Sequence, residues 1–165
     1  MTAPAVRLLF VCMGNICRSP TAEGVMAHLL EREQLTGAVV IDSAGTGAWH
    51  AGSAPDERAT SAAATRGITL GGAARQVRQA DFELFDLLLC ADGDNLRDVR
   101  AIAPDAEARA KVRRLREFDP QAQASGDLDI PDPYYGGGRG FEDVLDLVER
   151  ACQGLLDDLR SKGLV

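Results

Sequence analysis

Cys12 and Arg18 bracket the five residues Met13, Gly14, Asn15, Ile16 and Cys17, and Ser19 and Pro20 follow directly. A thiolate attacks phosphorus readily, and a guanidinium offers two parallel N–H donors to a tetrahedral oxyanion. Taken alone, a cysteine and an arginine at this spacing more often mark a small buried thiol in a turn. The flanking segments change that weighting. Arg7 to Val11 is a short apolar run that suits a buried strand, and from Ser19 the apolar residues Ala22, Val25, Met26, Leu29 and Leu30 recur at helical spacing. A loop leaving a strand and entering a helix can curl its N–H groups inward, and the helix adds its positive end. Such a cradle would seat a tetrahedral dianion above Cys12, with Arg18 closing over it. The same field would favour the thiolate of Cys12, with the Ser19 hydroxyl placed to donate to the sulfur.

The rest of the chain supplies elements to hold such a loop. Ala38 to Ile41 reads as a second strand, and Pro55 to Arg66 as a helix stopped by Gly67. Asp86 to Ala91 reads as a third, buried strand, followed by a helix through Leu96, Val99 and Ile102. Val112 to Leu115 is a weaker fourth strand because arginines interrupt it. The last helix carries one apolar stripe through Phe141, Val144, Leu145, Val148, Cys152, Leu155, Leu156 and Leu159. Strands alternating with helices predict an α/β fold over residues 1–165. The expected form is a single-domain three-layer sandwich: a four-stranded parallel sheet, helices on both faces and a phosphate-binding loop after strand 1. Ligands in such sheets bind beyond the carboxyl ends of the strands. Asp119 to Gly140, rich in Pro, Gly, Asp and Ser, reads as a long surface loop.

Composition narrows the function classes. The net charge of −7 argues against a broad nucleic-acid-binding face but leaves room for one local anion site. No run approaches the roughly 20 apolar residues of a membrane span, and the apolar run Leu8 to Met13 is too short for a convincing signal peptide. A cytoplasmic protein is expected, with signal-less secretion left open. The four cysteines, at 12, 17, 90 and 152, include no Cys-x-x-Cys, and His28 and His50 are the only imidazoles, so no metal site and no cofactor are expected. Cys90 and Cys152 read as small core residues.

With these residues in view, VCMGNICRSPTAE resembles the signature of the low-molecular-weight protein tyrosine phosphatases, bacterial type. The resemblance extends over nearly the whole chain, through Ser43-Ala44-Gly45-Thr46, Ala74-Arg75-Gln76, Asp92 and Asp132-Pro133-Tyr134-Tyr135. It implies Cys12 as nucleophile, Arg18 as phosphate clamp and Asp132 as general acid and base, with residues 13–17 and Ser19 forming the phosphate loop. It further implies that Asn15 holds a strained turn with Ser43 as partner, an assignment that suits the tolerance of Asn for φ > 0. Trp49, Tyr134 and Tyr135 match the family's aromatic walls, and His50 lies beside Trp49 on the same rim. Gly72 departs from the pattern, standing where many members carry a His that braces Asn15, and Ala91 replaces a frequent Met.

The resemblance implies hydrolysis of phosphotyrosine proteins or peptides through a cysteinyl-phosphate, with phosphate and vanadate as inhibitors. Taken alone, Asp132 before Pro133 reads as a turn former, and Asp127 and Asp129 read as solvated charges. Cys17 is either a silent loop residue or a protective disulfide partner for Cys12. Three other functions fit the scaffold: an arginine-phosphate phosphatase, a thiol-dependent arsenate reductase and a non-enzymatic phosphoprotein-binding module. Ile16, Tyr134 and Tyr135 favour phosphotyrosine over phosphoarginine. Arsenate reduction would need a relay of further cysteines.

Overall fold

The computed structural model describes residues 5–137 and 139–165. The first strand, β1 (Val6–Cys12), lies at the centre of the sheet because both its faces are apolar. Leu8, Phe10 and Cys12 point to one core, and Leu9 and Val11 to the other. This alternation is what a parallel strand covered on both sides requires.

The chain then runs through α1 (Arg18–Arg32), β2 (Val39–Gly45), α2 (Glu57–Ala64), α3 (Asp81–Leu84), β3 (Leu87–Cys90), α4 (Gly93–Ile102), α5 (Ala106–Ala110) and β4 (Val112–Arg114). A 3-10 turn (Leu115–Phe118), α6 (Pro120–Ser125) and α7 (Gly140–Ser161) complete it. The strand order is β2-β1-β3-β4, all parallel. From β1 the chain crosses to one side for β2 and to the other for β3 and β4. The order therefore reverses between β1 and β3, and the crevice of a doubly wound sheet opens at such a point. Cys12 ends β1 and Cys90 ends β3, so the crevice is flanked by the two turns that follow them.

On one face α1, α2 and α7 bury Val25, Met26, Leu30, Val148, Leu155 and Leu156 against Leu8 and Phe10. On the other, Phe82, Phe85, Val99 and Ala108 from α3, α4 and α5 and their flanks cover Leu9, Val11 and Leu88. The apolar stripe predicted for the last helix is the buried face of α7, from Val144 to Leu159.

Three elements show what their neighbours add to the sequence reading. The second strand runs on to Gly45, because Asp42 and Ser43 keep parallel register with Leu9 and Phe10 of β1. The fourth strand forms despite its arginines, which sit on the sheet edge with partly exposed side chains. The loop expected from Asp119 contains α6, nucleated by the Asp119 carboxylate on the Gln121 N–H, Pro120 in its first turn and Gly126 as left-handed stop. No described helix is long and apolar enough to cross a membrane.

Candidate active site

The turn between β1 and α1 is shaped by where its carbonyls go. The Cys12, Met13 and Ile16 carbonyls accept the backbone N–H groups of Thr46, Gly47 and Asp56, at 2.9, 3.0 and 2.8 Å, and the Cys17 carbonyl accepts Thr21 N–H at 3.1 Å. A trans peptide points its N–H opposite to its C=O. The N–H groups of Met13, Gly14, Cys17 and Arg18 therefore turn the other way, into the loop. The start of α1 adds to them, since Cys17 at its N-cap makes no side-chain capping bond and leaves the first-turn donors for a ligand. Gly45 makes this closeness possible, because a Cβ there would lie 2.7 Å from the Met13 carbonyl oxygen.

Asn15 sits at φ 58°, in the left-handed region, and is almost fully buried. The Arg75 backbone N–H donates to Asn15 Oδ1 at 3.0 Å, which fixes the orientation of the amide. Its Nδ2 must then donate to Ser19 Oγ at 2.8 Å and to Ser43 Oγ at 3.0 Å. Ser19 thus spends a lone pair on Asn15 and aims its proton at Cys12 Sγ, 3.0 Å away; its other possible acceptor, the Ala44 carbonyl, is at 3.5 Å. The Asn15 backbone N–H also donates to the sulfur at 3.3 Å. Gly72 offers no side chain to this network, and the Arg75 main chain braces the amide.

Arg18 enters from the first turn of α1 and is buried. Its Nη1 donates to Asp92 Oδ2 at 2.6 Å and to the Ile130 carbonyl at 2.9 Å. Asp92, the cap of α4, also takes the Asn95 N–H at 2.8 Å. Burial opposes the charge of Arg18, yet Cys12, Asp92 and Asp132 together raise its pKa above the usual guanidinium value. Asp132 presents Oδ2 at 3.8 Å from Arg18 Nη2, while its Oδ1 accepts the Tyr134 N–H at 3.0 Å.

These side chains enclose a cavity of about 70 Å³. Cys12 and Arg18 form its buried floor, while His50, Asp132, Tyr134 and Tyr135 line its mouth; Met13, Gly14, Ile16 and Cys17 supply the remaining wall. The Tyr134 and Tyr135 rings meet edge to face at 4.8 Å, and the His50 ring lies 6.2 Å from Tyr134. Arg58 stacks on Tyr134 at 5.4 Å and on Phe141 at 4.8 Å. A larger, shallow groove of about 750 Å³ runs past Arg58, Gly136 and Phe141, but its lining includes no cysteine.

Trp49 departs from expectation. It does not line the cavity; its ring folds over the backbone of Gly47, where any side chain would collide with it, and remains 72% exposed. Gly47 offers a flat surface, and the ring covers that in place of the pocket. Asp127 and Asp129 are exposed carboxylates that also make bonds: Asp129 accepts from Gly93 N–H at 2.9 Å and Arg114 Nη1 at 3.2 Å, and Asp127 pairs with Arg116 at 3.5 Å. Asp92, Arg75 and the Ile130 carbonyl are site partners that the sequence reading did not assign. An acid directly after a buried strand, at the carboxyl edge of the sheet, is the signal that could have identified Asp92.

The other thiols lie away from the cavity floor. Burial, then Asp56 and Cys12, push the Cys17 pKa up to about 12. Burial raises Cys90 and Cys152 as well, and both pack in the core. Among the described residues no cluster of three or more His, Cys, Asp or Glu is placed to hold a metal ion.

The family model for low molecular weight phosphotyrosine protein phosphatase matches residues 7–164. A low molecular weight protein-tyrosine-phosphatase of Streptomyces coelicolor is 49% identical over 156 residues, covering 94% of each chain. A protein tyrosine phosphatase from Entamoeba histolytica, solved with Hepes in its active site, superposes with a TM-score of 0.90 at 36% identity, over 96% of this chain and 99% of its own. A Drosophila arginine phosphatase shares the fold at a TM-score of 0.85 and 28% identity, over 93% of this chain and 97% of its own. A family model spanning nearly the whole chain and a bacterial relative at almost half identity agree with the loop geometry, and the chain belongs to the low molecular weight phosphotyrosine protein phosphatase family.

Proposed function

We propose that this chain, as one domain, hydrolyses phosphotyrosine in proteins or peptides through a cysteinyl-phosphate on Cys12. One observation carries the reading. Cys12 Sγ receives the Ser19 hydroxyl and the Asn15 N–H at the floor of a cavity, with Arg18 beside it and Asp132 at the mouth, 3.8 Å from Arg18. Those two contacts hold the sulfur beneath the cradle, where it can attack phosphorus in line.

In the first step Cys12 Sγ forms a bond to phosphorus as the phosphorus–oxygen bond to tyrosine breaks. Asp132 Oδ2 gives its proton to the departing phenolic oxygen, while Oδ1 stays fixed on Tyr134 N–H. In the second step water attacks phosphorus, Asp132 takes a proton from it, and the sulfur–phosphorus bond breaks. The sulfur leaves as a thiolate held by Ser19 and Asn15, and inorganic phosphate is released. The inward N–H groups and Arg18 bear the charge on the equatorial oxygens, the larger electrostatic share. His50, Tyr134 and Tyr135 would flank the phenyl ring. Vanadate, which matches the geometry of the cradle, should inhibit. Four free thiols among the described residues suit a cytoplasmic setting.

The test is the leaving-group dependence of kcat/KM, which reports only the steps up to departure of the phenol. Asp132→Asn should lower kcat/KM on a phosphotyrosine peptide by about 10²–10⁴, and spare an activated aryl phosphate whose leaving group needs no proton. Equal losses on both substrates would remove Asp132 from the acid role. Phosphoarginine and arsenate with a thiol reductant serve as parallel substrates; preferential turnover of either would replace the phosphotyrosine reading.

A further inference from the structure

We infer that Arg116, with Arg114 beside it, is a positioning residue for Asp132: two arginines from the far edge of the sheet set the loop that aims the acid. This rests on the reading of Asp132 as general acid.

The segment from the end of α6 to Pro133 has no regular structure of its own, so its shape comes from what it is tied to. Arg116 Nη1 donates to the Asp129 carbonyl at 2.6 Å and pairs with the Asp127 carboxylate at 3.5 Å. Arg114 Nη1 donates to Asp129 Oδ1 at 3.2 Å, and the same oxygen takes the Gly93 N–H of α4 at 2.9 Å. The next residue, Ile130, is 1% exposed; its N–H donates to the Ala91 carbonyl at 2.8 Å, and its own carbonyl accepts from Arg18. Beyond Ile130 the chain reaches Asp132 through Pro131, whose ring fixes φ. The position of the 129–130 peptide therefore dictates where the Asp132 carboxyl stands relative to Arg18.

Arg116 is spent on this task. It is 6% exposed, its Nε has no partner among the described residues, and its charge meets only a main-chain carbonyl and one exposed carboxylate. Burying a guanidinium with so few partners is costly, and packing alone does not call for one there. A misplacement of about 1 Å in a reacting group can cost about 10²-fold in rate, so the clamp need move the loop only slightly to matter.

Arg116→Met keeps the apolar stem and removes the guanidinium. It should lower kcat/KM on a phosphotyrosine peptide by about 10-fold or more, while kcat/KM on p-nitrophenyl phosphate changes little. Asp129→Ala, at a half-exposed carboxylate, removes the acceptor that Arg114 and the Gly93 N–H share without touching the core, and should show the same selectivity in milder form. It keeps the inference testable if Arg116→Met does not fold. The double variant Arg116→Met/Asp132→Asn should match Asp132→Asn alone, because Arg116 acts only through the acid. Parallel losses on both substrates, no loss on either, or a further loss in the double variant would overturn the clamp. A flat leaving-group dependence in Asp132→Asn itself would instead sink the acid assignment, and the two failures are thereby told apart.

Discussion

Asn15 carries the most constrained chemistry of the site. Its φ of 58° places it where most residues are strained, at a cost of order 1–3 kcal/mol for a non-glycine. Three side-chain bonds to Arg75, Ser19 and Ser43 hold it there, and the same bonds point the Ser19 proton at the sulfur. The identities of Cys12, Asn15, Arg18 and Ser19 were legible in the sequence because type and spacing are local. The Arg75 brace was not, because it is a main-chain N–H some 60 residues away, on a residue whose side chain is itself pinned by Asp42 and Asp81. Gly45 belongs to the same scale. Gly45→Ala should push a methyl into the Met13 carbonyl and open the loop, raising KM for aryl phosphates by about 10-fold. Near-native KM and inhibition by phosphate in that variant would show that the loop does not need this closeness.

Between elements, α7 sets how the acid loop is supported. Gly154 lets α7 lie directly on the 3-10 turn, where an added Cβ would collide with the Phe118 carbonyl. That turn also bears Arg116, so helix, turn and acid loop form one stack. Gly154→Ala should destabilise the fold by about 1–3 kcal/mol, read as a lower midpoint in urea, because backbone and not a flexible side chain must move. An unchanged midpoint would mean that the turn yields freely. The apolar stripe of α7 was readable at 3.6-residue spacing, and so was the strand–loop–helix that makes the cradle. The short α6 and the tethering of Asp127 and Asp129 were not, because their bonding partners, Arg114, Arg116 and Gly93, belong to other elements.

Across the whole molecule, acidic charge exceeds basic charge, with 25 Asp and Glu against 18 Lys and Arg. Glu23 lies on α1 behind the loop. Burial, opposed by a Ser43 bond and reinforced by Asp42, raises its pKa. A carboxyl that holds its proton more tightly when folded contributes stability below its unfolded pKa and loses that contribution as pH rises through the folded value. Glu23→Gln should therefore raise Tm at neutral pH, with the gain fading as pH falls toward about 4. A Tm difference independent of pH between about 4 and 8 would show that ionised Glu23 costs the fold nothing.

The amino-acid sequence by itself determined the doubly wound class, the strand that launches the loop, and the cysteine and arginine that bracket it. Those depend on periodicities and spacings within about twenty residues, which a linear chain displays directly. Only the tertiary structure decided that Trp49 lies on Gly47 and not in the pocket wall, and that Asp92 and the Ile130 carbonyl hold Arg18. It alone brought Arg114 of β4 and Arg116 of the following turn to the acid loop. In each case the partner is chosen by the packing of separate elements around the point where the strand order reverses, and no local pattern encodes that meeting.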